Sequence, residues 1–238
     1  YDFLALIVGS EGQFGVITEA TVRILPSAEG ARPMMVGFES AAKAAICVAR
    51  IIASGILPVA IEFMDKPAIV VCEAFAKAGY PLDVEALLII EVEGSEEEIA
   101  DRLAYIAGIA NELSPKSIVV AASDEQAARI WKGRKSAFGA IGRLADYYCM
   151  DGTIPLANLA HVLEQISEIC ARQGLKVANI FHAGDGNLHP LVMYDANAAG
   201  EIEKAEIAGA EILKLCVAVG GCLTGEHGVG IEKRDLMR

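Results

Sequence analysis

The sequence predicts an α+β fold built from two β-α-β-β-α-β units. Three observations predict it. Strand and helix signals recur in the same order along the chain, side-chain capping signals open several of the helices, and the composition supports a sizeable core. Of 238 residues, 54% are hydrophobic and 22% charged, which excludes a disordered chain. That length suits one large domain or two small ones, and such a core needs no disulfide or metal staple.

Residues 1–27 stand apart from the units. Leu4–Val8 reads as a buried apolar run. Gly9, Gly12 and Gly15 follow at three-residue spacing in Gly9-Ser10-Glu11-Gly12-Gln13-Phe14-Gly15, the mark of a turn that something approaches closely. Val16, Ile17 and the alternating Ala20–Leu25 predict a closing strand that ends at Pro26, and Ser27–Gly30 reads as a linker.

The first unit begins at Met34–Phe38, a strand. Ser40 caps a helix with Ala45, Ile46, Ala49 and Ile52 on its apolar side, and Gly55 ends it. Val59–Met64 and Leu87–Val92 are strands. Ser95-x-x-Glu98 is a capping box that opens a helix with Ile99, Leu103, Ile106 and Ala110 on one face. Ser117–Ala121 completes the unit as a strand.

Ser123-x-x-Gln126 opens a bridging helix that runs through Phe138. The second unit then repeats the order. Tyr148–Ile154 is a strand stopped by Pro155. Leu156, Leu159, Leu163, Ile166 and Cys170 trace a helix, and Val177–His182 and Leu188–Tyr194 are strands about a short turn. Ile202–Val219 is a helix stopped by Gly220-Gly221, and Cys222–Thr224 is a short last strand. The repeat is one of element order only. Two such units match the ferredoxin-like arrangement, sheets with helices on one face.

Charge excludes one class of partner. Lys and Arg total 20 against 32 Asp and Glu, a net charge of −12, and no basic cluster offers a face to nucleic acid. No apolar run approaches the roughly 18 residues of a membrane span. The start, Tyr1-Asp2-Phe3, shows neither a signal peptide nor an initiator Met, which leads us to expect a piece of a longer chain. The six Cys occur singly, without a C-x-x-C pair. That predicts reduced thiols in a cytoplasmic protein, buried as small hydrophobes.

Three of the four His lie in two Gly-rich motifs, His182-Ala183-Gly184-Asp185-Gly186-Asn187-Leu188-His189 and Gly225-Glu226-His227-Gly228-Val229-Gly230. A two-residue Asp185-Gly186 hairpin turn places His182 opposite His189 on one sheet face, where two imidazoles can share a divalent ion. The plain alternative is a hairpin with two solvent-facing His. Glu226-His227 adds a carboxylate and a third imidazole, with little bulk around them. Two His plus one carboxylate with open positions is a recurrent catalytic metal set. The alternative is a capping Glu226 and a core His227. His161 sits mid-helix, where surface or packing is the default. Lys132, Arg134 and Lys135 close the bridging helix as a positive spot. They are either a solvated helix end or, through Arg134, a carboxylate binder. The second motif lacks the glycine order of a Rossmann fingerprint, and no P-loop is present.

Taken together, the segments GSEGQFGVIT (9–18), IWKGRKSAF (130–138), YYCMDGTIP (147–155), HAGDGNLH (182–189) and GEHGVG (225–230) resemble the flavin-linked 2-hydroxy acid dehydrogenases, the group of glycolate oxidase and D-lactate dehydrogenase. The resemblance spans the chain and implies an anatomy. Residues 1–27 are the C-terminal remnant of an FAD-binding domain, and residues 28–238 the cap (substrate) domain. It also implies that an N-terminal half and a C-terminal tail are missing, so the chain holds FAD weakly by itself.

The same resemblance implies roles. His182, His189 and Glu226 ligate a divalent metal (zinc, manganese or iron), and His227 is the catalytic base. Arg134 binds the substrate carboxylate. Gly9, Ser10, Gly12, Gly15, Val16 and Ile17 contact the flavin. Relatives acting on 2-hydroxyglutarate carry a Lys where Cys149 stands, so Cys149 implies a small monocarboxylate such as glycolate or lactate. The implied activity is oxidation of a small 2-hydroxy acid to the 2-oxo acid, with partner subunits or a homodimer expected and the electron acceptor left open. The competing readings are a metal-dependent hydrolase using the same ligands and a non-catalytic ferredoxin-like binding module.

Overall fold

The computed structural model describes residues 1–237. In chain order its elements are α1 (Phe3–Ile7), β1 (Gly30–Phe38), α2 (Ala41–Ala53), β2 (Ala60–Asp65), α3 (Lys66–Ala76), β3 (Ala86–Gly94), α4 (Glu96–Asn111) and β4 (Ser117–Val120). They continue with α5 (Asp124–Lys135), α6 (Ala137–Ile141), β5 (Asp146–Cys149), α7 (Leu159–Arg172), β6 (Lys176–His182), β7 (Pro190–Tyr194) and α8 (Glu201–Ala218).

The α+β class and the two repeated units are present. β1-α2-β2-β3-α4-β4 gives the spatial order β4-β1-β3-β2, and β5-α7-β6-β7-α8 gives β6-β7-β5. All of these pairings are antiparallel. Helix starts follow the capping signals. Ser40 accepts from the Lys43 N–H, Ser95 and Glu98 form the reciprocal capping box, and Ser123 accepts from the Gln126 N–H.

The units join into one sheet rather than two. β2 and β6 pair edge to edge, with Glu62 opposite His182, Phe63 opposite Phe181 and Met64 opposite Ile180. The Phe63 and Phe181 rings stack with centroids 4.7 Å apart, and both side chains are fully buried. This joint closes two edges that would otherwise expose unpaired backbone.

Helices cover both faces, where the sequence pointed to one. α2, α4, α7 and α8 bury Ile51, Ile106, Ile166 and Ile212 on the expected face. The opposite face carries α3, α5 and α6, through Ile69, Ile130 and Ile141. α3 went unpredicted because its apolar residues follow no single stripe. Its start is legible afterwards: Asp65 accepts from the Ala68 N–H, and Pro67 occupies the first turn.

Other elements are shorter than expected. The Tyr148–Ile154 strand ends at Cys149, after which Met150, Gly152 and Ile154 make single backbone bonds to Pro190, Leu188 and Gly186. The Cys222–Thr224 strand shrinks to one bridge, Thr153 to Cys222, because Thr224 and the N–H groups after it turn toward the Asp151 side chain.

Residues 1–29 depart furthest from expectation. Leu4–Val8 is no buried run: it falls in and just after the short helix α1, which Asp2 caps, and Phe3, Leu4 and Leu6 are exposed. The Val16–Leu25 pattern forms no strand, since among the described residues no strand lies alongside to complete a ladder. Four Cys are buried as expected, but Cys149 is half-buried and Cys222 exposed. Among the described residues no helix is long and apolar enough to cross a membrane.

Candidate active site

The alternation of a pleated strand decides which side chains can meet. Met64 of β2, Ile180 of β6, Leu191 of β7 and Cys149 of β5 face α3, α5 and α6. Glu62 and His182 lie two residues from Met64 and Ile180, so they share that face.

The His pair meets by a different register from the one expected. The β6–β7 ladder opposes Asn179 to Pro190, and His182 bridges Asn187 rather than His189. The turn therefore holds four residues, 183–186, and closes through Gly186 at φ +69°. A two-residue change of register preserves the sheet face, whereas a one-residue slip would reverse it. The rings of His182 and His189 accordingly stay together, with centroids 5.3 Å apart and planes at 85°.

Their hydrogen bonds fix how the rings present. His182 Nδ1 lies 2.7 Å from Glu62 Oε1, and His189 Nδ1 lies 3.3 Å from the Met150 carbonyl. Both partners only accept, so each Nδ1 donates and each neutral ring keeps its lone pair on Nε2. Both Nε2 atoms face Glu226 Oε1, at 3.6 Å from His182 and 3.1 Å from His189. Two lone pairs pointed at a carboxylate oxygen require a cation among them, a proton or a metal ion. This N,N,O donor set, with its Nδ1 atoms already engaged, fits a divalent transition ion. The bond to Glu62 raises the pKa of His182 against the opposing effect of burial, whereas burial lowers that of His189.

Asp151 builds the second motif. Its buried carboxylate accepts from Thr224 Oγ1 at 2.6 Å, Gly225 N at 3.1 Å, Glu226 N at 3.2 Å and His227 N at 2.9 Å. Lys233 Nζ lies 3.1 Å away and is buried with it. Burial pushes the Asp151 carboxyl up, but the bonds from Thr224, His227, Glu226 and Lys233 outweigh that and hold it well below the usual range. An Asp151 oxygen also lies within 4.8 Å of donor atoms on His189, Glu226 and His227. Its lone pairs are committed to the loop, so we read it as the anchor of Glu226 and His227 and not as a ligand.

His227 stacks on His189, with ring centroids 5.1 Å apart and planes at 13°. Its ring is exposed. Cys149 Sγ lies within 4.8 Å of nitrogens on both rings, and burial pushes its thiol up to about 12. It is a small neutral wall of the site. His161 is exposed on α7.

Arg134 is no solvated helix end. Glycine at 133 lets α5 press against Tyr80, whose hydroxyl donates to the Ile130 carbonyl at 2.6 Å. The guanidinium then reaches Glu62 with Nε at 2.9 Å. Its Nη2 lies 2.8 Å from the same oxygen, so the two groups form a buried ion pair. Lys132 and Lys135 stay exposed.

Gly9, Ser10, Gly12, Gly15, Val16 and Ile17 follow α1 in a segment without helix or strand, mostly exposed. A Cβ on Gly9 or Gly12 would meet nothing within 4 Å, so nothing in the described chain makes the close approach their spacing implies. Glu11 ties this segment to the second motif by accepting from the Val229 and Gly230 N–H groups.

Sequence reasoning missed Glu62, Asp151, Lys233 and Glu11. The first had a signal: a carboxylate inside the apolar strand Ala-Ile-Glu-Phe-Met needs a buried cation.

One face of the sheet thus carries an imidazole–carboxylate cluster that could hold a metal ion, with a buried arginine on the same face. The description "FAD linked oxidases, C-terminal domain" matches residues 28–238, and the chain belongs to that family. It is 47% identical over 238 residues to "Glycolate oxidase subunit GlcD" of Escherichia coli K12, covering all of this chain and 48% of that protein. It is 37% identical to the GlcD subunit of Bacillus subtilis, over 98% of this chain and 50% of that one. The "Probable D-lactate dehydrogenase, mitochondrial" of Danio rerio is 28% identical over all of this chain and 48% of its own. The chain thus spans about half the length of the curated relatives it matches. A solved alkyldihydroxyacetonephosphate synthase superposes with a TM-score of 0.66 at 17% identity, over 94% of this chain and 45% of that one. That likeness concerns the fold alone.

Proposed function

We propose that this chain is the substrate- and metal-binding part of an FAD-dependent enzyme that oxidises a small 2-hydroxy acid, of the glycolate or D-lactate type, to the 2-oxo acid. One observation carries the reading: in a member of this family, His182 Nε2, His189 Nε2 and Glu226 Oε1 converge near the buried Arg134. Family membership favours it over a metal hydrolase or a bare binding module. Residues 1–27 belong with the FAD-binding part and residues 28–238 form the cap.

The reaction removes a hydroxyl proton and a C2 hydride. When bound, flavin supplies the hydride acceptor and a divalent ion (zinc, manganese or iron) supplies Lewis acidity toward the hydroxyl. His182, His189 and Glu226 hold the ion. The Arg134 guanidinium takes the substrate carboxylate and orients C2. His227, held through its backbone by Asp151 and free at its ring, accepts the hydroxyl proton. Cys149 offers no charge for a second carboxylate, which supports a monocarboxylate. Gly9, Ser10, Gly12, Gly15, Val16 and Ile17 line the flavin. The GlcD relatives are named as subunits, which supports partner subunits here, and six unpaired cysteines support a cytoplasmic location.

The test is dye reduction by the intact, flavin-loaded protein with glycolate and D-lactate. Residues 1–238 alone are expected to be colourless and inactive. His227→Ala is expected to lower turnover by ~10²–10⁴-fold with flavin still bound, and near-wild-type turnover across pH would remove His227 from the role of base. Absence of activity on any 2-hydroxy acid would overturn the functional reading.

A further inference from the structure

The proposed chemistry uses Arg134 and His182 but assigns nothing to the group between them. Glu62 is buried at 5% exposure and touches both. Oε2 accepts from Arg134 Nε at 2.9 Å, and Oε1 lies 2.7 Å from His182 Nδ1. Each carboxylate oxygen is thereby given to one partner. The backbone explains the reach, because Glu62 and His182 are directly opposed across the β2–β6 seam, where side chains share a face at close range.

We propose that Glu62 is a positioning residue that sets the metal site and the carboxylate site from one point. This rests on the metal-site reading of His182. The Oε1 contact holds the proton of His182 on Nδ1, which keeps the Nε2 lone pair free for the cation and fixes the ring plane. The Oε2 contact engages the Arg134 guanidinium at Nε, 2.9 Å away, with Nη2 2.8 Å away, and so fixes its plane beside the imidazole–carboxylate cluster. The same charge balances a guanidinium that would otherwise be buried alone. Carboxylates placed behind a metal-bound imidazole typically matter by 10–100-fold in metal affinity.

A purely structural Glu62 would neutralise Arg134 and do nothing for the cation. Glu62→Gln separates the two roles, since even where its single carbonyl oxygen stays on His182 Nδ1 it lacks the charge that makes the carboxylate a strong orienting partner. The experiment is Mn²⁺ binding, by titration calorimetry, to the intact wild-type protein and to the Glu62→Gln and His182→Ala variants. We expect wild type to bind one Mn²⁺, His182→Ala to lose it, and Glu62→Gln to weaken it by about 10–100-fold. Equal binding by wild type and His182→Ala would overturn the metal site itself. Loss in His182→Ala with unchanged affinity in Glu62→Gln would overturn the role of Glu62 alone. A second readout requires no variant to fold. Nitrogen NMR of ¹⁵N-histidine-labelled, Zn²⁺-loaded wild-type protein is expected to place the His182 proton on Nδ1, and a proton on Nε2 would overturn the proposal.

Discussion

Replacing Asp151 with Asn tests whether one buried carboxylate carries the Glu226-His227 loop. The side chain is fully buried, and Lys233 beside it is 6% exposed. Asn removes the charge opposite Lys233 Nζ, 3.1 Å away, and turns one acceptor into a donor facing the N–H groups of residues 225–227. Removing one partner of a buried ion pair costs about 3–5 kcal/mol. Each orphaned buried N–H would add about 1–3 kcal/mol, but Glu226 and His227 are exposed, so the loop can open and rehydrate those groups. The expected loss is therefore close to that of the pair alone. The assay is urea unfolding of the intact protein as wild type, Asp151→Asn, Lys233→Met and the double variant. We expect Asp151→Asn to cost about 3–5 kcal/mol and the double variant to cost clearly less than the sum of the singles. Hydrogen exchange at residues 225–227 should accelerate ahead of global unfolding. A loss under about 0.5 kcal/mol, or strict additivity, would refute the anchoring argument.

Two further predictions concern the supports of the site. Gly133→Ala would bring a Cβ to 2.6 Å from Tyr80 Cζ and 2.7 Å from Ala78 Cβ. We expect a loss of about 1–3 kcal/mol and, as α5 is pushed outward, a raised KM for the acid with flavin content unchanged; an unaltered KM would mean that α5 does not set Arg134. Asp65 offers a pH signature. Burial lifts its pKa from 3.8 to about 6 despite bonds from Asn179 and Ala68. A carboxyl with a raised folded pKa takes up its proton first in the folded state, so its contribution improves as pH falls from about 6 to about 4 and is least favourable above 6. The stability of wild type relative to Asp65→Asn should rise over that window by at most about 3 kcal/mol, and a flat difference from pH 4 to 7 would contradict the burial argument.

The elements legible in sequence are those whose signals are local. The capping residues Ser40, Ser95 and Ser123 and the stripe Leu159-Leu163-Ile166-Cys170 each fix a helix without reference to the rest of the chain. What escaped is set by partners far away. The strand pattern of residues 16–25 needs a neighbour to become a strand. α3 lies against a sheet face whose existence depends on both units. The His182–His189 pairing survived an error in turn length because a four-residue turn differs from a two-residue one by an even step. Glu62 shows the limit most clearly. Its partners Arg134 and His182 lie 72 and 120 residues along the chain, and nothing in the local sequence names them, although a lone carboxylate in an apolar strand signals that some cation must exist.

The joint between the two units explains why the site lies where it does. β2 and β6 contribute consecutive residue pairs to the seam, Glu62 with His182 and Phe63 with Phe181. Alternation sends the first pair to the face of the candidate site and the second into the core beneath α2 and α7. The stacked rings and the carboxylate–imidazole contact are thus set by one register. A slip of one residue along this seam would bury the ionic pair among aliphatic side chains and set aromatic rings against the buried Arg134 guanidinium in place of its carboxylate, and the unpaired buried charges would be costly. Core packing therefore enforces the geometry of the cluster. Neither unit alone can assemble it, because Glu62 comes from the first unit, Arg134 from the helix between them, and the histidines and Glu226 from the second unit and the loop that follows it.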